Sequence, residues 1–197
     1  MEFFQKTAGK WRSQRVTHHL PFKRAEIGGS EIFVDALGGD HPRVIEICEM
    51  HEEDPSLAVG GAFVSWDGSM AWDKDDENHE GNTVFALIPD PDNPQTGKLL
   101  RERGYAEIIP VAGDHVDENN ALVLTTEYET MTILERFWFI NPDIRLRFST
   151  VKRFGGFNTA TFCMEVRRDQ GEESPVEFTP FAITTGQKPS HYAISGW

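Results

Sequence analysis

Between residues 121 and 168 apolar and polar side chains alternate almost without a break, through ALVLTTEY, TMTILERFWFI, RLRFSTVKRF and TATFCMEVRR. A period of two marks strands that are half buried. The connections supply turn chemistry, Asn141-Pro142-Asp143 and Gly155-Gly156, so the segment predicts an antiparallel meander of about four strands.

The rest of the chain extends this pattern. Residues 9–20 mix β-branched, aromatic and long polar residues and stop at Pro21; SEIFVDAL at 30–37 reads as a second strand. Residues 61–66 and 69–73 flank Asp67-Gly68, which predicts a hairpin there. Residues 82–89 form a further strand, and 98–110 contain another. Two short helices are expected. One lies in the first nine residues, where Phe3, Phe4 and Ala8 share a face and can plug or cover something. The other spans 41–52, with Pro42 in its first turn and Val44, Ile47 and Cys48 at helical spacing. Strands and helices do not alternate, and composition does not break before a polar tail that starts at Asp169. The expectation is an all-β protein: residues 1–168 form one closed antiparallel barrel of about ten strands, and 169–197 pack on it or extend from it. A two-sheet sandwich is the alternative.

Composition limits the partners. With 19 Lys+Arg against 32 Asp+Glu the net charge is −13, the wrong sign for nucleic acid or an anionic membrane surface. No run of about 18 apolar residues is present, and MEFFQKTAGKW lacks the layout of a secretory signal, so a soluble protein that stays where it is made is expected. Cys48 and Cys163 have no CxxC spacing and read as reduced, buried, small hydrophobes. The 14 Phe and 5 Trp serve a core, or line a pocket for a flat ligand.

Gly9-Lys10-Trp11 matches the G-x-W opening of lipocalin-type barrels, in which the tryptophan closes the bottom. If Trp11 points inward, alternation sends Ser13, Arg15, Thr17 and His19 the same way, and a buried Arg15 needs an anion, either a structural carboxylate or one carried by a ligand. His18 and His19 cannot both face one cavity in a regular strand, and no metal site is expected. The acidic stretch Asp73, Asp75, Glu77 lacks the glycine and the final glutamate of a calcium loop. No hydrolase elbow, zinc-protease or phosphate-loop motif occurs.

In residues 135–149, ERFWFINPDIRLRFS, the side chains of Arg145, Arg147 and Ser149 share one strand face, and Leu146 and Phe148 share the other. Either the arginines face solvent over a Leu/Phe core, or they face inward. Glu135 and Trp138 should point oppositely unless a bulge intervenes.

KWRSQRVTHHL near the start, GGSEI at 28–32, VGGAFVSWDGSMAWDKDDENHEG at 59–81 and ERFWFINPDIRLRFSTVKR at 135–153 together resemble the S-type phycobiliprotein lyases, the CpcS/CpeS family, over about residues 1–168. The resemblance implies a lipocalin-like, fatty-acid-binding-protein-like barrel that binds an open-chain tetrapyrrole, a bilin. It implies transfer of that bilin, phycocyanobilin or phycoerythrobilin, to a cysteine of a phycobiliprotein α or β subunit through a thioether. A non-catalytic carrier of bilin, haem or fatty acid is the alternative. Carried over by residue, the catalytic positions are Glu135 and Arg145, and the bilin-binding positions are Arg15, His18, His19, Trp66, Trp72, Trp138, Arg147 and Ser149. The bilin is substrate, with no permanently bound cofactor. The resemblance also implies cyanobacterial cytoplasm or a plastid stroma, and leaves open a homodimer or a second lyase subunit.

Overall fold

The computed structural model describes residues 1–70, 80–102, 111–116 and 120–168. Ten antiparallel strands close into one barrel. In chain order they are β1 (Gly9–His19), β2 (Arg24–Gly38), β3 (Gly60–Met70), β4 (Gly81–Pro89), β5 (Thr96–Arg101), β6 (Val111–Val116), β7 (Leu122–Tyr128), β8 (Met131–Asn141), β9 (Ile144–Arg153) and β10 (Gly156–Arg168). Each strand pairs with its neighbours in sequence, and β1 closes the circle on β10. The expected barrel is therefore present, and the sandwich alternative is excluded.

Three local expectations need correction. Asp67-Gly68 is not a turn: β3 runs through it, with Asp67 opposite Glu31 and Gly68 opposite Ser30. A turn dipeptide yields here to ladder pairing with a long neighbour. That neighbour, β2, begins six residues before the expected Ser30, because pairing with β1 carries it across Gly28-Gly29. Strand β6 has no counterpart among the expected elements; it is short and lies between β5 and β7. The acidic stretch at 73–79 and the tail from 169 lie outside the described residues.

The helices do different work. The first, α1 (Glu2–Thr7), caps one end of the barrel. Phe4 is buried and Phe3 stacks edge-on with Phe137 and tilts against Phe139. Trp11 is completely buried beneath it and donates its indole N–H to the Thr7 carbonyl at 2.7 Å. Arg167 ties the same end, donating to the carbonyls of Ala8 and Lys6 at 2.7 Å each and lying 4.2 Å over the Trp11 ring. Trp11 thus closes the barrel as the G-x-W opening implied.

The second helix, α2 (Pro42–Met50), starts with proline where no N–H is needed, and the His41 imidazole caps it by accepting from the Arg43 N–H at 3.2 Å. Its apolar face, Val44, Ile47 and Cys48, covers the outside of β4 and β5 with Val84, Ala86 and Leu100. The approach is close enough that a side chain at Gly61 would meet Val44 Cγ2 at 3.1 Å.

Candidate functional site

Strand pairing lays four inward-facing columns side by side on β8, β9, β10 and β1. Going outward from the packed end, the rows are Phe139, Arg145, Glu165, Ser13; then Phe137, Arg147, Cys163, Arg15; then Glu135, Ser149, Thr161, Thr17. One wall is therefore polar and cationic. The opposite wall is mainly apolar, built from Val34, Val64, Phe85, Leu99, Leu122 and Leu124, with Arg101 of β5 among them. Between them lies a cavity of about 810 Å³, inside the range of roughly 300–1,000 Å³ typical of small-molecule sites. A second lobe of about 470 Å³ shares Arg15, Glu135 and Arg147 with it and reaches the open end at His19, Ser149 and Arg153.

The arginine face of β9 points inward, and Leu146 and Phe148 point out, with Phe148 37% exposed. Of the two orientations the sequence allowed, the inward one holds. The apolar partners are outward on β10 as well: Phe162 pairs with Phe148 and Met164 with Leu146. On this wall the barrel inverts the usual pattern of apolar residues inside and polar residues outside.

Each buried guanidinium has a defined partner. Arg145, 5% exposed, donates through Nε to Glu165 at 2.5 Å and stacks 4.9 Å from Trp11. Burial lowers the proton affinity of Arg145, and the Glu165 carboxylate works against that loss. Arg147 donates to Cys163 Sγ at 3.3 Å and lies 3.8 Å from Glu165. Burial opposes its charge too, but Cys163, Glu165 and Glu135 outweigh it, and its proton is held more tightly than in water. On the other side Arg101 donates to Glu135 at 3.1 Å, with both side chains under 10% exposed. Arg101 Nε and Ser13 Oγ are buried with no hydrogen-bond partner among the described residues. Four guanidiniums, Arg15, Arg101, Arg145 and Arg147, face Glu135 and Glu165, with Glu102 at the cavity edge. A chain of net charge −13 encloses a cationic interior.

The expected site residues divide accordingly. Glu135, Arg145, Arg15, Arg147 and Trp66 line the main cavity, and His19 and Ser149 line the outer lobe. Trp66 sits at the rim, 38% exposed, and its ring lies where any side chain at Gly81 would stand. His18 is exposed on the outer face of β1, one residue out of phase with His19. His19 itself pairs with Glu26. Trp138 also faces outward: the register from Met131 to Phe139 is unbroken, and its ring lies 5.4 Å from the Arg136 guanidinium on the outer surface. Phe137 takes the inward position. Trp72 lies outside the described residues. Cys48, on the inner face of α2, and Cys163, in the barrel wall, are free and buried as expected, and Cys163 also takes a hydrogen bond from Arg147.

Arg101 and Glu165 were not among the expected residues. The signal for Glu165 was present in FCMEV, where Cys163 and Glu165 alternate against apolar residues on a strand that reads as half buried. Arg101 carried no such signal, because both Leu99 and Leu100 are buried, one facing the cavity and the other under α2.

A family model described as CpeS-like protein matches residues 1–168. The phycocyanobilin lyase subunit CpcS of Picosynechococcus sp. is 68% identical over 197 residues, spanning 100% of this chain and 96% of that protein. A chromophore lyase CpcS/CpeS of Synechocystis sp. is 65% identical, over 100% of this chain and 98% of its own length. Among solved structures, the S-type phycobiliprotein lyase from Guillardia theta superimposes with a TM-score of 0.75 at 34% identity, covering 86% of this chain and 92% of that one. Matched by the family model over residues 1–168 and by these relatives over most or all of its length, the chain belongs to the CpeS-like family.

Proposed function

We propose that the protein is a bilin lyase: it binds an open-chain tetrapyrrole in the barrel and adds it to a cysteine of a phycobiliprotein subunit. The observation that carries this reading is the two-sided cavity, cationic on β8–β10 and β1 and mainly apolar opposite, where Arg101 adds one more cation. A bilin has the matching form, flat apolar rings with two propionates and a row of pyrrole N–H groups. Arg145 and Arg147, with Arg15 beside them across Cys163, meet the propionates. Glu135, one row nearer the mouth, meets the pyrrole N–H groups or supplies a proton. Trp66 at the rim and Phe137 inside hold the rings and restrict their conformers.

In the transfer step the acceptor thiolate attacks the ethylidene carbon of ring A. The carbon–sulfur bond forms, the exocyclic double bond breaks, and its electron pair takes a proton at the adjacent ring carbon. Nothing is oxidised or reduced, so the lyase need only position the two partners and manage one proton. Cys163 is completely buried and bonded to Arg147, and takes no part. Phycocyanobilin is the substrate that the Picosynechococcus relative's name favours. The Picosynechococcus and Synechocystis relatives are cyanobacterial, and the cytoplasm is the site of action that this reading implies.

Coexpression with a bilin source and an apo-phycobiliprotein subunit tests the reading. An acid-stable coloured adduct on the subunit is the expected result; pigment retained only by this protein identifies a carrier instead. Arg147→Ala should weaken bilin binding about 10- to 100-fold, the loss of one charged hydrogen bond of about 1.5–3 kcal/mol.

A further inference from the structure

Two neighbouring turns at the open end of the barrel carry large apolar side chains into solvent. The β1–β2 turn presents Leu20 and Phe22, 46% and 75% exposed, and lies against β10. The β9–β10 turn presents Phe154 and Phe157, 88% and 60% exposed. Folding does not account for Phe154. Arg153 pairs with Gly156, so Phe154 and Gly155 form a two-residue hairpin loop, and both have positive φ, 49° and 80°. Such a loop is most stable with Asn or Gly at its first position, and a bulky residue held there is strained. A strained, exposed aromatic that contacts no core is kept for something outside the molecule.

Charge indicates what that is. Segments 20–25 and 152–157 contain Lys23, Arg24, Lys152 and Arg153, all exposed, and no acid, in a chain with 32 acidic residues. Two acids mark the edge of the patch: Glu26, paired with His19, and Glu129, in the adjacent β7–β8 turn. The surface is thus apolar, cationic and continuous with the cavity lobe that Arg153 and Phe22 line.

We propose that these two turns are the docking rim for the acceptor protein, which presents there an acidic surface with apolar contacts, and that Phe154 is the exposed anchor. The proposal rests on the lyase reading and deepens it: an acceptor seated on this rim brings its cysteine to the mouth of the outer lobe, which shares Arg15, Glu135 and Arg147 with the main cavity. Phe22 is nearer the lumen; Phe154 and Phe157 project away from it and suit a test that leaves the bilin site alone.

The test uses bilin-loaded full-length protein with the apo-subunit that it modifies in coexpression, comparing wild type with Phe154→Asn, and with the double variant Phe154→Asn/Phe157→Ser. Phe154→Asn should melt no lower than wild type, since asparagine tolerates the left-handed backbone. Bilin affinity should be unchanged in both. The double variant should raise the acceptor KM more than about ten-fold, as loss of an interface anchor does, with little change in kcat. Lys152→Glu should weaken acceptor binding, and added salt should narrow its difference from wild type. An unchanged acceptor KM in the double variant overturns the proposal. So does cosedimentation of wild type, but not the double variant, with phosphatidylglycerol–phosphatidylcholine vesicles when acceptor KM is unaffected; the rim would then read a membrane. Subunit binding by wild type without any adduct would instead overturn the lyase reading and leave the rim supported.

Discussion

Arg145 does two things at once, and they cannot be separated by truncation. It is the cavity-facing cation nearest the packed end, and it neutralises Glu165, which is 1% exposed. Removing one partner of a buried ion pair leaves the other without compensation. Arg145→Ala should therefore cost about 3–5 kcal/mol in urea denaturation, and adding Glu165→Gln should recover part of it. Equal stability of wild type and Arg145→Ala would mean that the pair contributes nothing to the fold. Glu135→Gln keeps the shape and still accepts from Arg101, so it should leave the barrel folded while suppressing transfer; normal adduct yield from it would remove Glu135 from the mechanism. The cysteines separate in the same way. Burial pushes the Cys48 thiol above its ordinary pKa, so it stays protonated in the fold up to higher pH than in the unfolded chain. That contribution to stability is present below the unfolded value and is lost as pH rises through the folded one. Native protein at pH 8 should not be alkylated by iodoacetamide at Cys48, and labelling should appear only with urea; mass spectrometry of the modified peptide decides it.

At the scale of elements, strands were read well where alternation had no competitor. Strands β7 to β10 follow the pattern from 121 to 168 almost residue for residue. Local turn chemistry misled at Asp67-Gly68, where a long partner overrode it inside β3, and the start of β2 was placed late because pairing with β1 carries that strand across Gly28-Gly29. Which face of β9 turns inward was not legible, because the decision belongs to closure: once Trp11 faces in, pairing through β10 fixes Arg147 opposite Cys163 and Cys163 opposite Arg15. Trp138 and His18 were placed with the pocket by resemblance, while alternation had already marked them as out of phase with Glu135 and His19. The short helix α1 is worth more than its six residues suggest, since Phe4 belongs to the same cluster as Trp11, Val34 and Leu99. Phe4→Ala should destabilise by about 3–5 kcal/mol. A melting temperature within a degree of wild type would show that the plug is an ornament rather than part of the core.

For the whole molecule, net charge proved a poor guide to the interior. The −13 total sits on the outside, while the barrel closes around an excess of arginine. Closure also leaves no free strand edge among the described residues, so a sheet of ten strands offers no template there for pairing with another chain. The cavity needs both properties: a rigid wall to hold guanidiniums at fixed spacing, and low water content to make their attraction for carboxylates strong. Trp11, α1 and Arg167 fill one end. Among the described residues the cavity opens at the other, where the acceptor is proposed to sit. A vessel with one neck cannot be filled while it is corked: pigment must load first, and an acceptor that docks on an empty barrel makes a dead-end complex. Initial rates at limiting bilin should accordingly pass through a maximum and fall as apo-subunit concentration rises, whereas rates that climb to a plateau would show that pigment has a second way in.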